Sequence, residues 1–138
     1  LAIAEVKRIE NLISDWIPTS QISKVNSGES VGYGRRFIAD KDTQIATIPV
    51  GYADGIPRLI GNKVGKISIN QKLYPIVGSI CMDMMMIDIE NDTINEGEEV
   101  IIFNDKPSLG DFAKYCNTIP YEVLTSISRR VKRIYIKD

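Results

Sequence analysis

The apolar residues of this chain fall in short runs, and most of the runs alternate with polar residues. A period of two puts successive side chains on opposite faces of a strand, so each run predicts one half-buried strand. Ile22, Val25 and then Val31 fit a first such region, with a turn at Ser27-Gly28. Residues 44–50 alternate next. Residues 64–70 and 72–80 read as a hairpin about Asn70-Gln71. Residues 84–89 and 99–103 follow, parted by the polar stretch 90–98, and 131–136 alternates again. Two helical patterns sit late in the chain. One covers 108–115, with Ser108 as N-cap and Asp111 at the capping-box position. The other covers 121–127, with Pro120 suited to its first turn. A third helical spacing runs through Ile3, Val6, Ile9, Leu12, Ile13 and Trp16 and stops at Pro18.

No helical pattern separates the strands in the way that parallel crossovers need. The expected fold is therefore mainly β: a small antiparallel, Greek-key-like barrel with two short helices and an N-terminal helix. Residues 1–18 read as a helical segment and 19–138 as the barrel domain.

Composition narrows the function classes. With 138 residues, 43% of them hydrophobic, the chain can bury a core without metals or disulfides. The formal net charge of −1 points to no polyanionic partner, so no nucleic acid is expected. Arg129, Arg130, Lys132 and Arg133 cluster, which reads as a solvated strand face. There is no histidine, and Cys81 and Cys116 lack metal-ligand spacing, so no metal site is expected. Two thiols in such a chain suggest a reducing, cytoplasmic setting. No run reaches the roughly 18 apolar residues of a membrane span. No signal-peptide pattern opens the chain, which carries Glu5, Lys7, Arg8 and Glu10 where an apolar stretch would stand.

Four segments carry unusual composition. Val31-Gly32-Tyr33-Gly34 flanks a tyrosine with glycines, where the backbone can turn tightly and another surface can approach. The plainer alternative is a turn with a surface aromatic. Gly51-Tyr52-Ala53-Asp54-Gly55 is a Gly-bounded loop directly after a strand, a common place for function and also for ordinary turns. Arg58 follows it and can face solvent or an anion. Gly78-Ser79-Ile80-Cys81-Met82-Asp83-Met84 leads into a methionine-rich strand that reads mainly as core. Asp83 in so apolar a run must be paired, hydrogen-bonded or at the strand's end. Finally, Thr118-Ile119-Pro120-Tyr121-Glu122-Val123 places a phenol at a helix start, where packing or a phosphate contact are the alternatives.

In this order and spacing the four segments resemble the carboxy-terminal domain of alanine racemases, from about Ser20 to Ile136. The resemblance implies that a pyridoxal-phosphate-binding barrel domain precedes this one and supplies the Schiff-base lysine. It also implies a homodimer in which this domain completes the partner subunit's site. The activity implied is interconversion of L- and D-alanine, for cell-wall synthesis. By resemblance Tyr33 is the catalytic tyrosine that exchanges a proton with the alanine Cα on one face. Tyr121 contacts the cofactor phosphate, and Tyr52 lines the inner substrate entryway. The Met82 backbone approaches the substrate carboxylate. Arg58 and Ile119 occupy the outer entryway. Ser79 stands where many members have arginine in Gly-Arg-x-Cys-Met-Asp, which changes the entryway's charge and bears on substrate range. Gln71 departs from the usual Asn-Gly turn. A phenol is a poor base at neutral pH and needs a nearby cation; in this chain only Arg35 and Arg36 adjoin it. The chain alone is expected to be inactive. A broader-specificity racemase and a non-catalytic barrel that binds a partner are the other readings. A basic amino-acid decarboxylase fits less well, because it lacks the Val-Gly-Tyr-Gly tyrosine.

Overall fold

The computed structural model describes residues 17–133. Its strands are β1 (Gln21–Val25), β2 (Ser30–Val31), β3 (Phe37–Ile38), β4 (Thr43–Ile48), β5 (Lys66–Ile69), β6 (Lys72–Val77) and β7 (Met85–Glu90). Five form one antiparallel sheet in the order β1-β4-β7-β6-β5, while β2 and β3 pair with each other. β5, β6 and β7 follow one another after a long connection from β4, and β7 returns to lie beside β4, which is a Greek key.

Residues 97–101 close this sheet. Gly97 N–H donates to Thr19 O at 2.8 Å, and Val100 N–H to Ile17 O at 2.8 Å. On the other side Ile101 and Ser68 exchange both backbone bonds, at 2.9 and 3.0 Å. One segment thus joins the lead into β1 to β5, and the sheet becomes the expected barrel. The strand expected over 99–103 needs correction. Glu99 and Ile101 form only isolated bridges, because the segment changes partner between Val100 and Ile101 and builds no ladder.

Alternation sorts the side chains. Ala46, Ile48, Ile67, Ile69, Tyr74, Ile76, Met85, Ile87 and Ile89 face the interior. Full burial of an isoleucine is worth roughly 1.5–3 kcal/mol, so these positions fix the scaffold that carries the rim loops. The opposite face of the same strands presents Val25, Ile45, Val77 and Met86, and the β2–β3 hairpin covers it with Val31, Phe37 and Ala39. The barrel therefore has a second, smaller core on its outside.

Helices α1 (Leu109–Tyr115) and α2 (Pro120–Thr125) lie where expected. Ser108 Oγ accepts from Asp111 N–H at 3.0 Å, which caps α1, and Phe112 meets Phe103 with ring centroids 5.3 Å apart. The hairpin at Asn70-Gln71 forms with φ of 51° and 67°, the signature of a type I′ turn, although Gln adopts it less readily than Gly. β5 starts at Lys66 and not at Val64, because Asn62 and Lys63 turn the chain with φ of 53° and 70°. The last strand is not seen in residues 131–133; 134–136 and the helix expected over 3–16 lie outside the described residues. Among the described residues no helix is long and apolar enough to cross a membrane.

Candidate functional site

Three loops converge on one groove. The first, Tyr33–Arg35, is a tight turn between β2 and β3, with Gly34 and Arg35 at positive φ of 73° and 52°. Gly32, with φ 79°, starts it, and a Cβ there would stand 2.9 Å from Met86 Cε. The glycine is required by backbone conformation and by the methionine beneath it. Arg35 turns back, its Nε donating to Ser30 Oγ at 3.2 Å.

The second loop carries Tyr52 and the third carries Met82, and the two touch backbone to backbone. Tyr52 N–H donates to Cys81 O and Ala53 N–H to Met82 O, each at 3.0 Å. Only glycine fits at position 51, where a Cβ would lie 2.2 Å from Cys81 O. Asp54 Oδ2 accepts from Gly51 N–H at 2.9 Å and folds its loop onto itself. Cys81 N–H closes the third loop onto Met84 O at 2.9 Å. Met82 N–H has no acceptor among the described residues.

Together these loops enclose an open groove of about 620 Å³. Tyr52, Arg58, Ser79 and Met82 line it, along with Arg36 and Gly34 from the tyrosine loop. Tyr33 itself is placed by its backbone, directly beside Gly34. Arg36 and Arg58 make no ion pair among the described residues, whereas the groove's carboxylate, Asp83, meets Arg130 at 2.7 Å. A cleft with two unpaired cations and a free backbone N–H suits an anionic group.

Tyr121 and Ile119 do not line this groove. They stand at the start of α2, 51% and 60% exposed. Their neighbours Thr118 and Glu122 border a smaller hollow with Gly55 and Pro57, so the 51–58 loop separates the two places. The Tyr121 and Tyr52 hydroxyls have no partner among the described residues and are open to one from outside. No group of acidic, cysteine or histidine residues among the described residues is arranged to hold a metal ion.

The groove is built from three of the four segments whose order and spacing gave the resemblance; the fourth borders the neighbouring hollow. A family model described as alanine racemase, C-terminal domain, matches residues 17–135. The chain belongs to that family. The alanine racemase of Helicobacter acinonychis (strain Sheeba) is 38% identical over 132 residues, which are 93% of this chain and 35% of that protein. That of Clostridium novyi (strain NT) is 48% identical over 123 residues, 85% of this chain and 32% of the relative. Among solved structures, alanine racemase from Bartonella henselae with covalently bound pyridoxal phosphate superposes with a TM-score of 0.82 at 37% identity, covering 86% of this chain and 33% of that one. Alanine racemase from Clostridium difficile 630 in complex with cycloserine gives 0.80 at 39% identity, covering 86% and 32%. This alanine racemase C-terminal domain thus spans about a third of the length of the relatives it matches.

Two features of the domain escaped the sequence reading. Gly51 is set by the third loop, which is remote in sequence. Arg130 belongs to the basic cluster read as a solvated strand face; its cations are exposed, but residues 131–133 form no strand, and Arg130 pairs with Asp83 and lies 3.7 Å from Asp54. The need of Asp83 for a partner was the available signal.

Proposed function

We propose that this chain is the carboxy-terminal part of an alanine racemase interconverting L- and D-alanine for cell-wall synthesis. In this reading it forms one wall of a site that the barrel domain of a partner subunit completes in a cytoplasmic homodimer. The observation that carries it is the groove: Tyr52, Met82, Arg58, Ser79 and the loop bearing Tyr33 converge there in a domain of this family.

Pyridoxal phosphate fits such a shared site. No lysine lines the groove, so covalent attachment falls to the barrel domain. Tyr121, whose hydroxyl lacks a partner here, would hold the phosphate. When bound, the cofactor supplies an electron sink for the carbon that loses its proton. The rest falls to this chain. Met82 N–H takes the substrate carboxylate, and Tyr52 narrows the approach. Arg58, Ser79 and Ile119 set the charge and width of the entry. Tyr33 holds and returns the proton at Cα on one face. A phenol titrates near ~10 in water, and a cation beside it favours the phenolate. Of the two neighbouring arginines Arg35 is bonded to Ser30, which leaves Arg36 in the groove for that role.

Tyr33→Phe in the intact enzyme tests the assignment. Loss of a catalytic base typically lowers the rate by about 10²–10⁴-fold. Racemisation falls in both directions, because each needs both bases. Solvent deuterium still enters D-alanine by way of the barrel lysine and enters L-alanine far more slowly. Equal exchange into both enantiomers at near-normal turnover would remove Tyr33 from the mechanism. A racemase of broader range is a second reading, favoured by Ser79 in the groove wall, where a short side chain leaves room and one cation fewer. Turnover of larger amino acids by the wild type, curtailed in Ser79→Arg, separates the two.

A further inference from the structure

We infer that Arg130 is a positioning residue for the proposed racemase site, clamping together the two loops that carry Tyr52 and Met82. The proposal rests on the reading of the groove given above. Arg130 belongs to neither loop. It follows α2, and Ser128 N–H fixes the segment by donating to Asp54 O at 3.0 Å. Arg130 N–H in turn donates to Ser128 Oγ at 3.2 Å. From there the guanidinium reaches both ways. One terminal nitrogen donates to Asp83 Oδ1 at 2.7 Å, and Nε lies 3.7 Å from Asp54 Oδ1.

The two carboxylates do different work. Asp54 already accepts the Gly51 N–H, so its position is set by its own loop. Asp83 has no other hydrogen-bond partner among the described residues and is half exposed, so Arg130 alone restrains it. Asp83 directly follows Met82, whose N–H is one of the groove's backbone donors without an acceptor among the described residues. A turn of the Met82–Asp83 peptide swings the adjoining backbone, and the contact from Arg130 opposes that turn. The guanidinium is charged at any working pH, and the two carboxylates, Asp83 foremost, push its pKa further up. A planar fork with several donors can span two acidic groups in this way; the ammonium of a lysine is one point charge. The ion pair is half exposed, so its effect on overall stability is small. Its effect on loop geometry is the larger consequence.

The test uses the full racemase that contains this chain and also the chain itself. In the full enzyme Arg130→Ala and Asp83→Asn should each raise KM for alanine by about 10-fold with kcat changed less than about threefold. The double variant should be no worse than either single one, because both remove the same contact. Arg130→Lys should recover only part of the loss. In the chain, amide NMR resonances of Met82 and Asp83 should move in Arg130→Ala, while those of Ile87 and Ile89 in β7 stay in place. Unmoved Met82 and Asp83 resonances, additive losses in the double variant, or full rescue by lysine would each overturn the proposal. Wild-type enzyme that does not racemise alanine would instead overturn the functional reading, and the NMR comparison would still decide the clamp.

Discussion

Gly51→Ala isolates the contact on which the groove depends. Gly51 has φ −146° and ψ −159°, extended backbone open to any residue, so the substitution carries no conformational penalty of its own. The whole cost is steric. The new Cβ would stand 2.2 Å from Cys81 O and 2.5 Å from Met82 O. Ordinary carbon–oxygen contact lies about 1 Å further out, so the third loop must retreat by roughly that distance. A retreat of about 1 Å takes both backbone bonds from 3.0 Å past the hydrogen-bonding limit. Two such bonds are worth about 1 kcal/mol each, and forcing atoms into a packed site adds about 1–3 kcal/mol. The expected loss is therefore about 3–5 kcal/mol. With a urea slope of about 2 kcal/mol per molar, the unfolding midpoint drops by about 2 M. Gly97→Ala is the control. Its φ of 88° charges the left-handed penalty of about 1–2 kcal/mol, but nothing lies within 4 Å of the added carbon. A Gly51→Ala midpoint equal to or above that of Gly97→Ala would refute the steric reasoning.

Two further outcomes follow from named side chains. Burial pushes the Cys116 thiol up to about 11, while Cys81 borders the groove, so a maleimide at about pH 7.5 should label Cys81 and reach Cys116 only after unfolding; peptide mass mapping reads this, and equal labelling rates would count against it. Hydrogen bonds from Lys72 Nζ and the Tyr74 hydroxyl, each 2.6 Å, hold the Asp92 carboxyl below its ordinary range. A carboxyl depressed in the folded state stabilises it above the unfolded pKa of about 4, and that contribution fades as pH falls through the folded value. Urea midpoints on the acid side of about pH 4 should thus fall more steeply for the wild type than for Asp92→Asn.

Local chemistry made much of the fold legible. Ser108 and Asp111 marked the start of α1, and Asn70-Gln71 marked the β5–β6 hairpin, because both signals lie within a few residues of the structure they specify. Segment 99–103 misled for a physical reason. Its alternation is that of a strand, but closing the barrel divides its hydrogen bonds between Ile17 and Ser68, and no local pattern encodes a change of partner. The same limit applies to the site. Tyr33 and Tyr52 stood out through their glycine-flanked settings, Met82 through the methionine-rich run, and Tyr121 through its place after Pro120 at a helix start. The partner of Asp83 lies 47 residues away, and its distance hid it among other basic residues.

Strand β7 has one further consequence. Met85, Ile87 and Ile89 point into the barrel, while Met86 points outward beneath Gly32, at the foot of the Tyr33 turn. The turn therefore rests on a flexible thioether in the small outer core and is mechanically separate from the main one. Exchanging Met86 for leucine or isoleucine would tilt the tyrosine's seat and leave the barrel's interior untouched. Variation at this one position gives the domain a means of shifting the backbone of the 33–35 turn from the outer core alone.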